Sequence, residues 1–125
     1  MAERCEVVGG DFFQSVPEGG DLYRLKWILH DWDDADAAAI LRTCRRGMGG
    51  RGTLLVIDRV LPPSITAASA ESFEACRADL MMMVWTGGLE RTAEEFGTLF
   101  ETAGFRLGRI LATPTPLSII EAHTV

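Results

Sequence analysis

One stretch constrains this chain more than any other. An apolar strand pattern at Asp21–Leu29 is followed by the run ADAAAILRTCRRGM at 35–48 and a second strand pattern at Thr53–Val60. In the middle run Ala37, Ile40, Leu41, Cys44 and Met48 recur at helical spacing. Asp33 and Asp34 sit where the helix dipole favours anions, Arg45 and Arg46 sit near its other end, and Gly49-Gly50 stop it. Strand, helix and strand at this spacing form a βαβ unit, which predicts two parallel strands joined by a right-handed crossover. Asp21–Leu29 mixes aliphatic and aromatic residues and is expected to be buried on both faces.

The rest of the chain is read around that unit. Cys5–Val8 is a short apolar run ending in Gly9-Gly10, the pattern of a strand entering a turn. Pro62–Ala70 reads as a loop of small residues. Glu71–Trp85 reads as a second helix, with Phe73, Cys76, Leu80 and Met83 expected on its core face. Thr92 with Glu95 three residues later has capping-box spacing, opening a helix that buries Phe96, Leu99, Phe100 and Ala103 and stops at Gly104. Phe105–Ala112 and Leu117–His123 are strands joined by Thr113-Pro114-Thr115-Pro116, short enough for a hairpin. No repeat or linker divides the 125 residues, and one small domain is expected.

Composition excludes several functions. The net charge is −6, with 12 Lys+Arg against 18 Asp+Glu, so nucleic acid is not an expected partner, because phosphate contacts need clustered cations. No apolar run reaches the ~20 residues of a membrane span, and MAERCEVVGG carries charges where a signal peptide needs apolar residues. Cys5, Cys44 and Cys76 are odd in number, far apart and without metal-ligand spacing, which points to reduced thiols in a cytoplasmic protein.

The most informative string is LKWILHDWDD at 25–34. His30 falls just past the end of a parallel strand, where ligands and catalytic groups of open α/β sheets gather. Its ordinary pKa suits proton transfer near neutral pH. A structural histidine is the competing reading. Asp58 closes the next parallel strand on the same rim, and Glu90 follows a Gly-Gly break. Either carboxylate could orient an imidazole, or be a turn residue and a solvated acid respectively. Asp11 and Phe12 could hold a purine, by hydrogen bond and by ring face, or Phe12 could be core. Met81 and Met82 could line an adaptable apolar pocket, or belong to a packed helix face.

The strings VVGGDFF, LYRLKWILHDWDD, GTLLVIDRVLP and GGLERTAEEF, in this order, resemble the C-terminal half of small-molecule O-methyltransferases that use S-adenosylmethionine. This group includes plant caffeate and flavonoid enzymes and bacterial polyketide-tailoring enzymes. The resemblance runs from Val7 to Ala122. It implies His30 as a general base acting on a hydroxyl of a small aromatic acceptor, with Asp58 and Glu90 beside it. Asp58 is shorter than the glutamate usual at its position in the family. The resemblance further implies Asp11, Phe12 and Lys26 as cofactor contacts, and Trp27, Met81 and Met82 as acceptor contacts. The implied fold is α/β, a partial Rossmann-like class I methyltransferase sheet (strands 3–7) with flanking helices and a C-terminal β-hairpin.

In that family the glycine-rich cofactor loop, the ribose-binding acid and a helical dimerisation domain lie upstream of VVGGDFF. Residues 1–125 are therefore expected to be the C-terminal portion of a catalytic domain and inactive as an isolated chain. The strand at Cys5–Val8 would lack a neighbour, and one edge of the strand at Asp21–Leu29 would be open, an association hazard. The expected partner, besides the acceptor, is a second copy or a completing chain. A non-catalytic α/β module pairing through that edge is the alternative function.

Overall fold

The computed structural model describes residues 4–65 and 69–125. Residues 66–68, inside the expected Pro62–Ala70 loop, lie outside the described residues. Among the described residues six strands and three α-helices follow in the order β1 (Leu22–Lys26), α1 (Asp34–Gly47), β2 (Thr53–Asp58), β3 (Val60–Leu61), α2 (Ala70–Trp85), β4 (Arg91–Thr92), α3 (Ala93–Thr102), β5 (Phe105–Ala112) and β6 (Ser118–Thr124). A single 3-10 turn, Leu29–Asp31, lies between β1 and α1.

The βαβ unit forms as expected, with β1 parallel to β2 from Leu22 opposite Thr53 to Lys26 opposite Ile57. The C-terminal hairpin also forms, antiparallel, with an irregularity between Leu107 and Ile110. Strand β6 inserts between β2 and β5, so the main sheet runs β1-β2-β6-β5. The expected Thr53–Val60 strand is broken at Arg59. Beyond it β3 leaves the main sheet and pairs in parallel with β4, Val60 opposite Arg91 and Leu61 opposite Thr92. This two-residue ladder draws the segment after Asp58 and the segment after Glu90 to one place.

The helix ends are capped as their residues dictate. The Asp33 carboxylate accepts from the Asp36 N–H at 2.9 Å and opens α1. Thr92 and Glu95 complete a reciprocal capping box at α3. Helices α1 and α3 supply Ile40, Leu41, Phe96 and Phe100 to a core that they share with Leu54, Val56, Phe105 and Ile120 from the sheet.

Three expectations need correction. Strand β1 is not buried on both faces: Leu22, Arg24 and Lys26 are exposed, while Tyr23 and Leu25 are half-buried against the core. One face of this strand packs on the core, and no described segment covers the other. Cys5–Val8 forms no strand and is exposed, since an apolar run without an adjacent ladder has no partner for its backbone groups. Helix α2 forms, but it buries Ser72 and Ala75. Phe73, Leu80 and Met83 are 57–68% exposed, and Val84 and Trp85 are exposed beside them. Spacing defines an apolar face but not what covers it, and no described segment covers this one.

Candidate active site

The site is assembled where β1 ends. Trp27 follows the strand with φ of 55°, the left-handed region that costs an ordinary residue on the order of 1–3 kcal/mol. Its N–H is met by the Ile57 carbonyl at 3.2 Å and by Asp58 Oδ1 at 3.0 Å, which hold this turn in place. The chain then dips inward so that Leu29 is fully buried, and the 3-10 turn places His30 at the rim, largely buried.

Two carboxylates converge on His30. Glu90 Oε1 lies 3.3 Å from Nδ1, and Glu90 is itself buried. Its backbone N–H is anchored on Asp79 Oδ1 of α2 at 2.9 Å. Asp58 is fully buried. Asp58 Oδ2 and Glu90 Oε2 are the two buried side-chain oxygens without a hydrogen-bond partner among the described residues. Asp31 Oδ1, 3.7 Å from Nε2, lies beyond hydrogen-bond distance.

The electrostatics follow from this crowding. The hydrogen bond to Glu90 raises the His30 pKa above its ordinary 6.5, burial opposes it, and the charges of Asp58, Glu90 and Asp31 add to the rise. Burial pushes the Asp58 carboxyl from 3.8 up to about 7, with His30 pulling it down and Glu90 pushing it further up. With Glu90 accepting from Nδ1–H, Nε2 carries the free lone pair. The arrangement can take a proton at Nε2 and stabilise the imidazolium through two acids.

Arg91 frames the site from below. It is 1% exposed, with its guanidinium bonded to the Leu29, Leu89 and Trp32 carbonyls and to Asp34 Oδ1. At Gly88 a Cβ would overlap the His30 carbonyl oxygen, so only glycine lets the two loops approach this closely.

A cleft of about 630 Å³ opens above His30 and Glu90, with Trp27, Lys26, Ile57 and Leu117 among its walls. Lys26 Nζ stands 5.7 Å from the Trp27 ring centroid, a cation–π approach. Of the candidate residues, His30, Glu90, Lys26 and Trp27 meet in this cleft, and Asp58 lies behind it, bonded to the Trp27 backbone.

Asp11, Phe12, Met81 and Met82 are not among the cleft walls. Asp11 is exposed, its carboxylate accepting from the Phe13 N–H and from Gln14 Nε2. Phe12 is half-buried against Phe13 and edge-on to Trp32. Met81 and Met82 sit on α2, with Met81 Sδ accepting from Arg77. The reading from residues alone gives no role to Arg91 or Asp79 and takes Gly88 only as part of a chain break. Arg91 carries no pattern that announces a buried cation. A glycine pair before an acid was the one available signal of a close backbone approach.

Residues 1–106 match the O-methyltransferase domain family. The chain is 48% identical over 125 residues to the phenazine O-methyltransferase PhzM of Lysobacter antibioticus, covering 100% of itself and 35% of that protein. It is 40% identical to the (S)-scoulerine 9-O-methyltransferase of Coptis japonica, covering 96% of itself and 31% of that relative. The crystal structure of the neocarzinostatin-biosynthesis O-methyltransferase NcsB1, in complex with S-adenosylmethionine and 2-hydroxy-5-methyl naphthoic acid, superposes with a TM-score of 0.84. That match is at 35% identity and covers 99% of this chain and 34% of that one. The chain thus spans about a third of the length of the curated relatives it matches.

Proposed function

This chain belongs to the O-methyltransferase domain family, and from that membership we propose that it carries the proton-accepting part of an S-adenosylmethionine-dependent enzyme that methylates a hydroxyl on a small aromatic molecule. One observation carries the reading: His30 holds Glu90 through Nδ1 at 3.3 Å and has no hydrogen bond at Nε2 among the described residues, at the wall of a cleft of about 630 Å³.

The residues present fit part of a cofactor shell. Lys26 forms no ion pair among the described residues, Asp11 exposes a carboxylate, and Phe12 offers a half-buried ring. Lys26 would hold the carboxylate end, Asp11 the adenine amine and Phe12 the adenine face. Bound S-adenosylmethionine would supply an activated methyl group.

The protein's own work is on the acceptor. His30 Nε2 takes the hydroxyl proton while the acceptor oxygen becomes the nucleophile. Glu90 keeps Nδ1 protonated, so that the basic nitrogen is the one in the cleft. The imidazolium that forms is stabilised by Glu90, and by the negative charge of Asp58 at pH values where that carboxyl is already ionised. Trp27 offers the aromatic acceptor a stacking surface. Met81 and Met82, outside the cleft walls, would reach the acceptor only at the far side of a larger pocket.

We further propose that residues 1–125 act as the C-terminal portion of the catalytic domain and turn over poorly alone. The reach of the relatives, about three times longer, supports this. The unpaired thiols support a cytoplasmic setting, and no helix among the described residues is long and apolar enough to cross a membrane. The outer edge of β1, which has no ladder partner among the described residues, favours a second reading, pairing with a completing chain or another copy.

The test is an exchange. The segment of the Lysobacter phenazine O-methyltransferase that aligns with residues 1–125 is replaced by this chain. The hybrid is expected to transfer a methyl group from S-adenosylmethionine to a phenolic acceptor. A folded, cofactor-binding hybrid without transfer would refute the proposal.

A further inference from the structure

We infer that Arg91 is a positioning residue that sets the spacing between His30 and Glu90. A buried guanidinium is costly unless its donors are all used. Here the ion-pair partner, the Asp34 carboxylate, is 75% exposed, whereas the Arg91 side chain is 1% exposed. The guanidinium spends its other donors on main-chain oxygens, and their identity is informative. Nη1 donates to the Leu29 carbonyl at 3.0 Å, the residue before His30, and to the Leu89 carbonyl at 3.4 Å, the residue before Glu90. Nη2 donates to the Trp32 carbonyl at 3.0 Å, two residues after His30. The planar fork therefore spans the two loops that present the pair.

An independent feature acts on the same spacing. The Gly88 backbone lies against the His30–Trp32 backbone so closely that a Cβ would overlap it. Arg91 draws the loops together and Gly88 permits the approach. Lysine cannot replace the fork. Its three donors radiate from one atom, whereas arginine offers five in a plane.

That the spacing serves proton transfer rests on the reading of His30 above, but the spacing itself is measured without any reaction. The probe is the titration of His30 in the 125-residue chain, followed by nitrogen-15 NMR. The groups facing His30 are Glu90, Asp58 and Asp31, with Lys26 and Arg59 across the cleft. Arg91→Lys keeps the charge at position 91, so the field on His30 is retained while the fork is lost. Gly88→Ala changes no charge and pushes the loops apart.

Both variants are expected to move the His30 midpoint down toward the ordinary imidazole value of ~6.5. A merely structural arginine would lower the urea midpoint and leave the His30 titration of the folded protein in place. Wild-type titration of His30 in folded Arg91→Lys overturns the inference. If that variant does not fold, the same result in Gly88→Ala overturns it. Failure of methyl transfer in the hybrid enzyme would leave this titration unaffected.

Discussion

Replacing Asp58 with asparagine should make the protein more stable at alkaline pH than at acid pH, relative to wild type. The unfolded carboxyl ionises near 3.8, whereas in the folded protein burial holds its proton until about 7. Between those values the folded state binds more protons than the unfolded state, so stability falls as pH rises through the window. The displacement from 3.8 to about 7 corresponds to roughly 4 kcal/mol at full ionisation, of which on the order of 2–3 kcal/mol develops between about pH 5 and about pH 8. Asparagine removes the ionisation. It keeps an oxygen to accept the Trp27 N–H, now 3.0 Å from Asp58 Oδ1, and sets an amide where Oδ2 has no partner. That unpartnered amide costs about 1–3 kcal/mol at every pH. The cost therefore offsets the absolute gain but not its pH dependence. Urea unfolding of both proteins at about pH 5 and about pH 8 should show the variant improving by on the order of 2–3 kcal/mol between the two. An identical difference at both pH values would show that Asp58 is ionised throughout, and would refute the burial argument.

Glu90→Gln weakens the hydrogen bond that heads the causes of the raised His30 pKa. The His30 midpoint should fall, and the acid limb of the methyl-transfer rate should move to lower pH with it, read from a pH–rate profile of the hybrid enzyme. An unmoved limb would separate Glu90 from the titrating group. Phe100→Ala, at a fully buried core position on α3, should cost about 3–5 kcal/mol in urea unfolding, and a cost under ~1 kcal/mol would show that α3 does not close the core. The open edge of β1 and the exposed Phe73, Leu80, Met83 and Trp85 on α2 should make the isolated chain self-associate. Sedimentation velocity showing a monomer at tens of micromolar would contradict that.

Much of the architecture is legible in the residues because local pattern and tertiary packing agree there. The α1 periodicity, its Asp33 cap and the Thr92–Glu95 box each state their geometry in a few positions. The placement of His30 and Asp58 at strand ends follows from the parallel unit alone. The failures have a common physical cause: a local pattern does not name its partner. Cys5–Val8 has the composition of a strand but no described neighbour to pair with. Helix α2 has apolar residues on most of its circumference, so the face chosen by spacing was one of several, and only Ser72 and Ala75 are buried. The left-handed Trp27 is invisible because tryptophan carries no preference for positive φ, and the Asp58 carboxylate that holds it comes from 31 residues away. Arg91 is hidden for the same reason, since four of its bonding partners, Leu29, Trp32, Asp34 and Leu89, come together only when the loops fold.

The central claim is that His30 accepts the acceptor's proton, and single-turnover methyl transfer in the hybrid enzyme tests it most directly. His30→Ala should slow the transfer step by ~10²–10⁴-fold, while S-adenosylmethionine affinity, measured by calorimetry on the same preparations, stays near wild type. A His30→Ala enzyme that transfers the methyl group at close to the wild-type rate would contradict the account.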